Sequence, residues 1–293
     1  MTNNKIGLCA MIAIATLSTM MLIGLVPSAS GQDELKNPES LSLAPAQLPG
    51  AHNSPLPALK APIESAQLQE VQSPSGPLKV VDLANWAGYA VTGSSFTSVL
   101  GSWVVPAYHC LKTPNSTSTV FVGIDGYSDN TIEAIGTASD CVGTHYQYFA
   151  VYTLGTTSAK ITGFSVKSGD LISASVSYAG SEFTIEIYNI TQGLFFSKSA
   201  AVSGAQRSSA EWIVQREVNP TYPLMDFGKV SSGSDYTNIV DTDWATDSSV
   251  SGSISDFGSN VVKINMIYGG VTYATPTALT TDGSSFIVNW KHE

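Results

Sequence analysis

Charged side chains are scarce in this chain of 293 residues. Asp, Glu, Lys and Arg make up 12% of the sequence, against roughly a quarter in an average soluble domain. Lys and Arg number 13 and Asp and Glu 23, which gives a formal net charge of -10. Because nucleic-acid binding needs clustered cations for the phosphates, we expect no nucleic-acid partner.

Metal-ligating side chains are also few. The chain has four His and three Cys, and no His stands at ligand spacing from a Cys, so we expect neither a metal nor a cofactor. Cys9 lies in an apolar run, which leaves Cys110 and Cys141 as a pair. A disulfide between them is expected in an exported chain. A G-x-S-x-G motif is missing too, which disfavours a serine hydrolase.

The N-terminus carries a long uncharged run, "IGLCAMIAIATLSTMMLIGLV", from Ile6 to Val26. Small residues at Ser28 and Ser30 permit cleavage, so residues 1–30 are predicted to be a secretory signal peptide. The run is also long enough to be a retained membrane anchor. Both interpretations put the rest of the chain outside the cytoplasm, with membrane contact only through an uncleaved N-terminal segment.

Two regions follow the N-terminal run. Residues 31–80 are rich in Pro, Ala, Gln and Ser, which predicts a disordered linker or a pro-segment. From residue 81 to 293, short runs rich in Val, Ile, Tyr, Phe and Thr alternate with Gly, Ser, Asn and Asp. This pattern predicts one all-β domain, an antiparallel β-sandwich of jelly-roll or lectin-like type, which we expect to be monomeric. The sequons at Asn115 and Asn189 predict surface loops.

Four blocks of this domain resemble one family in the same order. They are "ANWAGYAVTGSSFTSVLGSWVVP" from Ala84, "STVFVGIDGYSDNTIEAIGTASDC" from Ser118, "RSSAEWIVQ" from Arg207 and "PLMDFGKV" from Pro223. They are similar to the glutamic peptidases, or eqolisins, also called peptidase family G1 or A4. The resemblance implies two bent antiparallel sheets and a concave substrate groove. It also implies a Gln and a Glu that hydrolyse peptides in acid without a metal or cofactor.

The positions that match the family's catalytic pair are substituted. The family's Glu ends a motif that here reads "AEWIVQ", so its position is Gln215. The family's Gln stands two residues before a Gly, in a strand that here reads "IEAIGT", so its position is Ala134. A further groove Glu falls on Ala150 by the best local match, "YFAVYT". We predict that Ala134 and Gln215 lie on adjacent strands and point into the same concave face.

These substitutions predict a catalytically inactive protein. Amide hydrolysis needs a group that takes and returns a proton and a donor for the developing oxyanion. Gln215 has no titratable proton, and the Ala134 side chain has no donor. The alternative is an acid endopeptidase with a rearranged pair, in which Glu133 or Glu217 acts with Gln215. An unrelated all-β surface protein remains a third hypothesis.

A groove without catalysis can still bind an extended peptide or a glycan. By the resemblance and by their neighbourhood, the candidate groove residues are Trp86, Asp125, Glu133, Tyr148, Tyr152 and Glu211. Two of them have a purely structural alternative. Trp86 also fits the core of a β-sandwich, and Asp125, in "GIDGYSD", also fits a residue that shapes a turn.

Overall fold

The structure is a computed structural model that describes residues 69–73, 76–127, 129–143, 145–217 and 223–292. The expected signal peptide or anchor at 1–30 lies outside the described residues, as does the expected linker up to residue 68. Within the described ranges, no helix is long and apolar enough to cross a membrane.

Backbone pairing arranges the described strands, numbered along the chain, in two sets. The first sheet has the order β1–β2–β16–β3–β12–β5–β6–β7–β8, and its ladders are antiparallel except between β2 and β16. Its strands are β1 Gln69–Ser73, β2 Gly76–Leu83, β3 Trp86–Thr92, β5 Thr117–Ile124, β6 Glu133–Val142, β7 His145–Leu154, β8 Thr157–Lys160, β12 Ser209–Gln215 and β16 Val261–Tyr268.

The second sheet has the order β17–β18–β13–β4–β9–β10–β11, with β14 on β4 and β15 on β14. The β16–β17 hairpin connects the two sheets. The strands of the second sheet are β4 Ser98–Val104, β9 Leu171–Ala179, β10 Glu182–Asn189, β11 Leu194–Ala200, β13 Lys229–Ser232, β14 Trp244–Thr246, β15 Ser251–Ser253, β17 Val271–Pro276 and β18 Phe286–Trp290. Two short helices complete the described part, α1 Ser234–Thr237 and a 3-10 helix at Ile254–Asn260.

The core between the sheets is built by side-chain alternation. In β12, Ala210, Trp212 and Val214 point into the core, and in β10 Phe183, Ile185 and Ile187 do so. A period of two is what a strand requires to direct every second residue to one face. The predicted all-β antiparallel sandwich is therefore confirmed.

A disulfide ties the loop after β4 to the end of β6. Cys110 and Cys141 are bonded, with their Cα atoms 5.5 Å apart, inside the usual range for a disulfide. The link closes a separation of 31 residues, for which the chain-entropy estimate gives roughly 3–4 kcal/mol. The predicted pair is confirmed.

Two expectations made from the sequence are wrong here. The expected linker extended to residue 80, but residues 69–73 and 76–83 form β1 and β2 and pair at the edge of the first sheet. Of the two sequons, Asn115 is exposed, but Asn189 is fully buried. The Asn189 amide donates to Ser165 O at 3.1 Å and to Asp170 Oδ2 at 2.7 Å. This side chain is a structural tie and does not lie in a surface loop.

Candidate functional site

The first sheet has an outer face that points away from the inter-sheet core. In β12 this outer face carries Glu211, Ile213 and Gln215, because the alternate residues point inward. It holds a second apolar cluster whose members are at most 7% exposed: Val81, Leu83, Trp86, Ala90, Phe121, Ile132, Ala134, Ala138, Phe149, Val151, Ile213, Val262 and Ile264. Its polar residues therefore lie in apolar surroundings.

Gln215 lies in one cross-strand row with Trp86 on β3 and Thr119 on β5. The Trp86 indole N–H donates to Gln215 Oε1 at 3.1 Å. An indole nitrogen can only donate, so it is the amide oxygen of Gln215 that faces Trp86. Gln215 is 1% exposed, and position 215 therefore holds a neutral hydrogen-bonding group inside an apolar cluster.

Glycine lines both sides of the next row, where Ile213 on β12 pairs with Phe121 on β5. Gly88 flanks Ile213 and Gly136 flanks Phe121. A Cβ at Gly136 would stand 2.0 Å from Val120 O, and a Cβ at Gly88 would stand 2.1 Å from Trp212 O. Glycine is required at both positions because the neighbouring backbones approach so closely. The two bulky side chains thus separate Gln215 from the polar group in the following row.

Ala134 lies in that following row, with Gly123 on β5 and Glu211 on β12. The expectation that Ala134 and Gln215 lie on adjacent strands is wrong, because β5 runs between β6 and β12. Their rows are also four residues apart, about 13 Å along the strand direction. The register does place both side chains on the outer face. They are not a direct cross-strand pair.

Glu211 brings a carboxyl group next to Ala134. The point where a Cβ of Gly123 would stand is 3.1 Å from Ala134 Cβ and 3.6 Å from Glu211 Oε2. Glu211 is fully buried, and neither carboxyl oxygen has a hydrogen-bond partner of good geometry among the described residues. Burial raises the pKa of this carboxyl well above its usual range, and the charges of Asp125 and Asp129 add to that shift.

Asp125 is placed by the structure at the end of β5, where it holds a loop. Its carboxyl oxygens accept backbone hydrogen bonds from Gln206 at 2.9 Å, Arg207 at 2.7 Å and Ser208 at 2.7 Å. Burial raises its pKa to about 6, although the hydrogen bonds from Ser208 and Arg207 oppose the shift. These contacts agree with the other interpretation of Asp125, a residue that shapes a turn. Its assignment as a groove residue is therefore corrected.

Glu133 faces away from the candidate groove. It lies in a row with Ile124 and Leu154, both members of the inter-sheet core, so its assignment as a groove residue is wrong. The physical reason is strand alternation, which sends Glu133 and Ala134 to opposite faces. Burial, followed by the charge of Asp125, raises the pKa of Glu133 to about 8.

Three expected groove positions on β7 also face the inter-sheet core. Tyr152 stacks on Phe196, Tyr148 contacts Tyr108, and Ala150 belongs to the same core. The assignments of Tyr148, Tyr152 and Ala150 to the groove are wrong because the local match was displaced by one residue, which reverses the face of every side chain. The residues that β7 places on the outer face are Phe149, Val151 and Thr153.

The comparisons with known proteins agree with this architecture. A sequence model described as the Peptidase A4 family matches residues 84–288. The chain belongs to the peptidase A4 family. No curated protein matches the chain.

Solved structures of glutamic peptidases share its fold. A scytalido-glutamic peptidase bound to a transition-state analog inhibitor is 22% identical with a TM-score of 0.57, and the match covers 71% of this chain and 98% of that one. SCP-B, an eqolisin in complex with the tripeptide Ala-Ile-His, is also 22% identical with a TM-score of 0.53 and the same coverage. At this identity the likeness concerns the fold alone.

One polar residue of this member of the peptidase A4 family is not indicated by the sequence. Asp129 was not singled out, yet its carboxylate accepts from the Ser208 hydroxyl at 2.7 Å and from Thr131 N at 3.0 Å. The D-x-T spacing of Asp129 and Thr131 is a turn signal, but no sequence signal pairs this turn with Ser208. Among the described residues, no group of three His, Cys, Asp or Glu side chains is arranged to hold a metal ion.

Proposed function

We propose that this protein is an exported, catalytically inactive member of the peptidase A4 family that binds an extended peptide on the outer face of its first sheet. The observation that carries the proposal is the side chain at position 215. It is an amide whose oxygen accepts from the Trp86 indole, and an amide cannot act as a general base at any ordinary pH. Position 134 offers only a methyl group, so the second catalytic position has no donor for an oxyanion.

A peptide is favoured as the ligand because of what the outer face offers. Aromatic and aliphatic side chains surround a few polar groups there, which is the usual lining of ligand sites in proteins. The related eqolisin SCP-B is known in complex with a tripeptide. Export is supported by the apolar run at Ile6–Val26 and by the disulfide, since disulfides persist in oxidising compartments.

Binding is tested on the full chain with the tripeptide Ala-Ile-His and a casein digest, by titration calorimetry at acid pH. We expect saturable binding that weakens at least fivefold in Trp86→Phe. The matched control is Phe195→Ala on β11 of the second sheet, where the side chain is 62% exposed, and its affinity should equal that of the unmodified protein. Binding of chito-oligosaccharides instead of peptides would assign the face to glycans and contradict the proposal.

Inactivity is tested with denatured haemoglobin at acid pH. The unmodified protein should show no cleavage, because losing a general base typically costs a hundred- to ten-thousand-fold. The change Ala134→Gln with Gln215→Glu is expected to restore a trace at most, because these two positions lie on non-adjacent strands and need a supporting shell. Cleavage that persists through purification and disappears in Gln215→Ala would contradict inactivity.

The alternative, a rearranged acid endopeptidase, now has a different candidate base. Glu133 is directed to the inter-sheet core, whereas Glu211 lies beside Ala134 on the outer face with a raised pKa. If cleavage is found and Glu211→Gln abolishes it while Glu133→Gln does not, the enzyme hypothesis with Glu211 replaces the proposal.

A further inference from the structure

Four carboxyl groups collect where β5 ends and β6 and β12 begin. Asp125, Asp129, Glu133 and Glu211 come from different places in the chain, and we call them the carboxyl cluster. The register pairs Glu133 with Ile124 and Glu211 with Gly123, just before Asp125, and the charges of Asp125 and Asp129 raise the pKa of both glutamates.

The two glutamates are the unusual members. Glu133 and Glu211 are both 0% exposed, and none of their four carboxyl oxygens has a hydrogen-bond partner of good geometry within the described ranges. An ionised carboxylate in such a place is strongly disfavoured, whereas the neutral acid is tolerated.

Within the part of the chain that the structure describes, no basic side chain is hydrogen-bonded to the carboxyl cluster. Arg207 is the cation nearest to it in sequence, but its guanidinium donates to Phe96 O and lies 4.1 Å above the Tyr178 ring. Burial is the main cause of the raised pKa of Glu133 and Glu211, and the negative charges of Asp125 and Asp129 add to it. Any charge that appears on these glutamates therefore adds to the negative charge already present.

The carboxyl cluster holds one segment of backbone in a strained shape. Gln206, Arg207 and Ser208 all donate their backbone N–H groups to Asp125, and the Ser208 hydroxyl donates to Asp129. Arg207 has a φ of 54°, a conformation that costs free energy for a residue with a side chain. The Asp125 hydrogen bonds hold Arg207 in it, and β12 starts directly afterwards at Ser209.

We propose that the carboxyl cluster is a pH-dependent clasp: with Glu133 and Glu211 neutral it holds the 206–208 segment against the sheet, and their ionisation releases that segment. In acid, the two buried glutamates carry no charge and the aspartates bind the segment. As pH rises, each proton lost from a glutamate adds a negative charge beside Asp125 and Asp129. Opening the segment admits water and relieves that repulsion. The clasp does not depend on the proposed peptide binding.

The sign of the effect follows from proton linkage. A carboxyl with a raised pKa in the closed form binds its proton more tightly there than in the open form. The closed form is therefore favoured most at low pH and is weakened as pH rises toward the raised pKa, which is about 8 for Glu133. The open fraction should rise roughly tenfold per pH unit for each proton released on opening.

The test measures amide hydrogen exchange at Gln206, Arg207 and Ser208 in the full chain between pH 5 and pH 8, corrected for intrinsic exchange. Protection should fall at least tenfold across this range in the unmodified protein and clearly less in the double variant Glu133→Gln with Glu211→Gln, in which Asp125, with a pKa of about 6, still titrates. Glu182→Gln, an exposed position on β10, is the matched control and should behave like the unmodified protein.

Two results would overturn the clasp. One is protection at 206–208 that does not change with pH in the unmodified protein. The other is an equal fall in the double variant. If the double variant does not fold, Glu133→Gln alone should reduce the dependence on pH, and an unchanged dependence there would also contradict the proposal. Peptide binding is a separate measurement, so its failure leaves the clasp intact.

Discussion

The two polar ends of the outer face accommodate a buried polar group in opposite ways. At one end, Gln215 is a neutral amide whose oxygen is bonded to the Trp86 indole. At the other end, about 13 Å away along the strands, Glu211 keeps a carboxyl group in a fully buried place without a hydrogen-bond partner of good geometry among the described residues. Both lie on β12 and both are at most 1% exposed. The end that matches the family's catalytic glutamate carries a neutral amide, and the end that contains Ala134 carries the carboxyl group of Glu211.

This difference separates two uses of polar groups in an apolar face. A satisfied amide fixes one arrangement of Trp86 and Gln215 and is insensitive to pH. An unsatisfied carboxyl is tolerated only while it is protonated, so its end of the sheet depends on pH. Substitutions that alter only one end should therefore change stability by different amounts and with a different dependence on pH.

The largest effect is expected from Asp125→Ala. The substitution removes the acceptors of three backbone N–H groups and leaves Arg207 in a strained conformation without support. Leaving a buried donor unpaired costs roughly 1–3 kcal/mol, and these three donors are partly buried, so we expect a loss of about 3 kcal/mol or more in the free energy of unfolding, measured by urea denaturation at pH 5. Asp125→Asn keeps one acceptor oxygen and should lose clearly less. Equal losses in the two variants would contradict the role given to these hydrogen bonds.

At the Gln215 end of the outer face, Trp86→Phe should lower the free energy of unfolding by about 2–3 kcal/mol. The change deprives Gln215 Oε1 of its indole donor and removes buried volume. The loss should be the same at pH 5 and pH 8, because an amide does not titrate. Trp103→Phe is the matched control, since Trp103 is another buried indole and donates to Thr137 Oγ1 at 3.0 Å in the inter-sheet core. Both variants should lose stability, but only Trp86→Phe should weaken binding of Ala-Ile-His.

Glu133→Gln should change how stability depends on pH. The folded-state pKa of about 8 lies above the value in the unfolded chain, so Glu133 favours folding below the unfolded pKa and opposes it as pH rises toward 8. We expect the unmodified protein to be more stable at pH 5 than at pH 8. Glu133→Gln should gain about 1–2 kcal/mol at pH 8 and little at pH 4. A variant that is equally shifted at both pH values would show that desolvation of Glu133 is not the cause.

Much of the fold could be predicted from the sequence, because alternation and turn residues act locally. The run "SAEWIVQ" predicts a strand with Trp212 on one face and Gln215 on the other, and the structure has both. Residues 69–80 were misassigned because a sequence rich in Pro and Gln gives no strand signal, and it is pairing with the far strand β16 that defines β2.

The site was harder to predict because it depends on register. A displacement of one residue in "YFAVYT" placed Tyr148, Tyr152 and Ala150 on the wrong face. The carboxyl cluster gave no sequence signal either, since Asp125, Asp129, Glu133 and Glu211 meet only when β5, β6 and β12 pair. Contacts between residues distant along the chain are set by the tertiary structure and not by local spacing.

The smallest effect is expected from Ser208→Ala, which removes one hydrogen bond of the carboxyl cluster and leaves the others in place. Ser208 donates its hydroxyl to Asp129 Oδ2 at 2.7 Å and keeps its backbone bond to Asp125. This hydroxyl lowers the pKa of Asp129, so it stabilises the ionised carboxylate. The depressed pKa means that the contribution is present above the unfolded pKa of Asp129 and is lost as pH falls through its folded value. We expect the free energy of unfolding to fall by about 1 kcal/mol at pH 7 and by less below pH 4, measured by urea denaturation at both pH values.

Ser249→Ala, which removes an exposed hydroxyl from Asp247, is the control and should lower the free energy of unfolding less at pH 7. A loss in Ser208→Ala that grows as pH falls would show that Asp129 is not the ionised partner, and the division of charge within the carboxyl cluster would then have to be reversed.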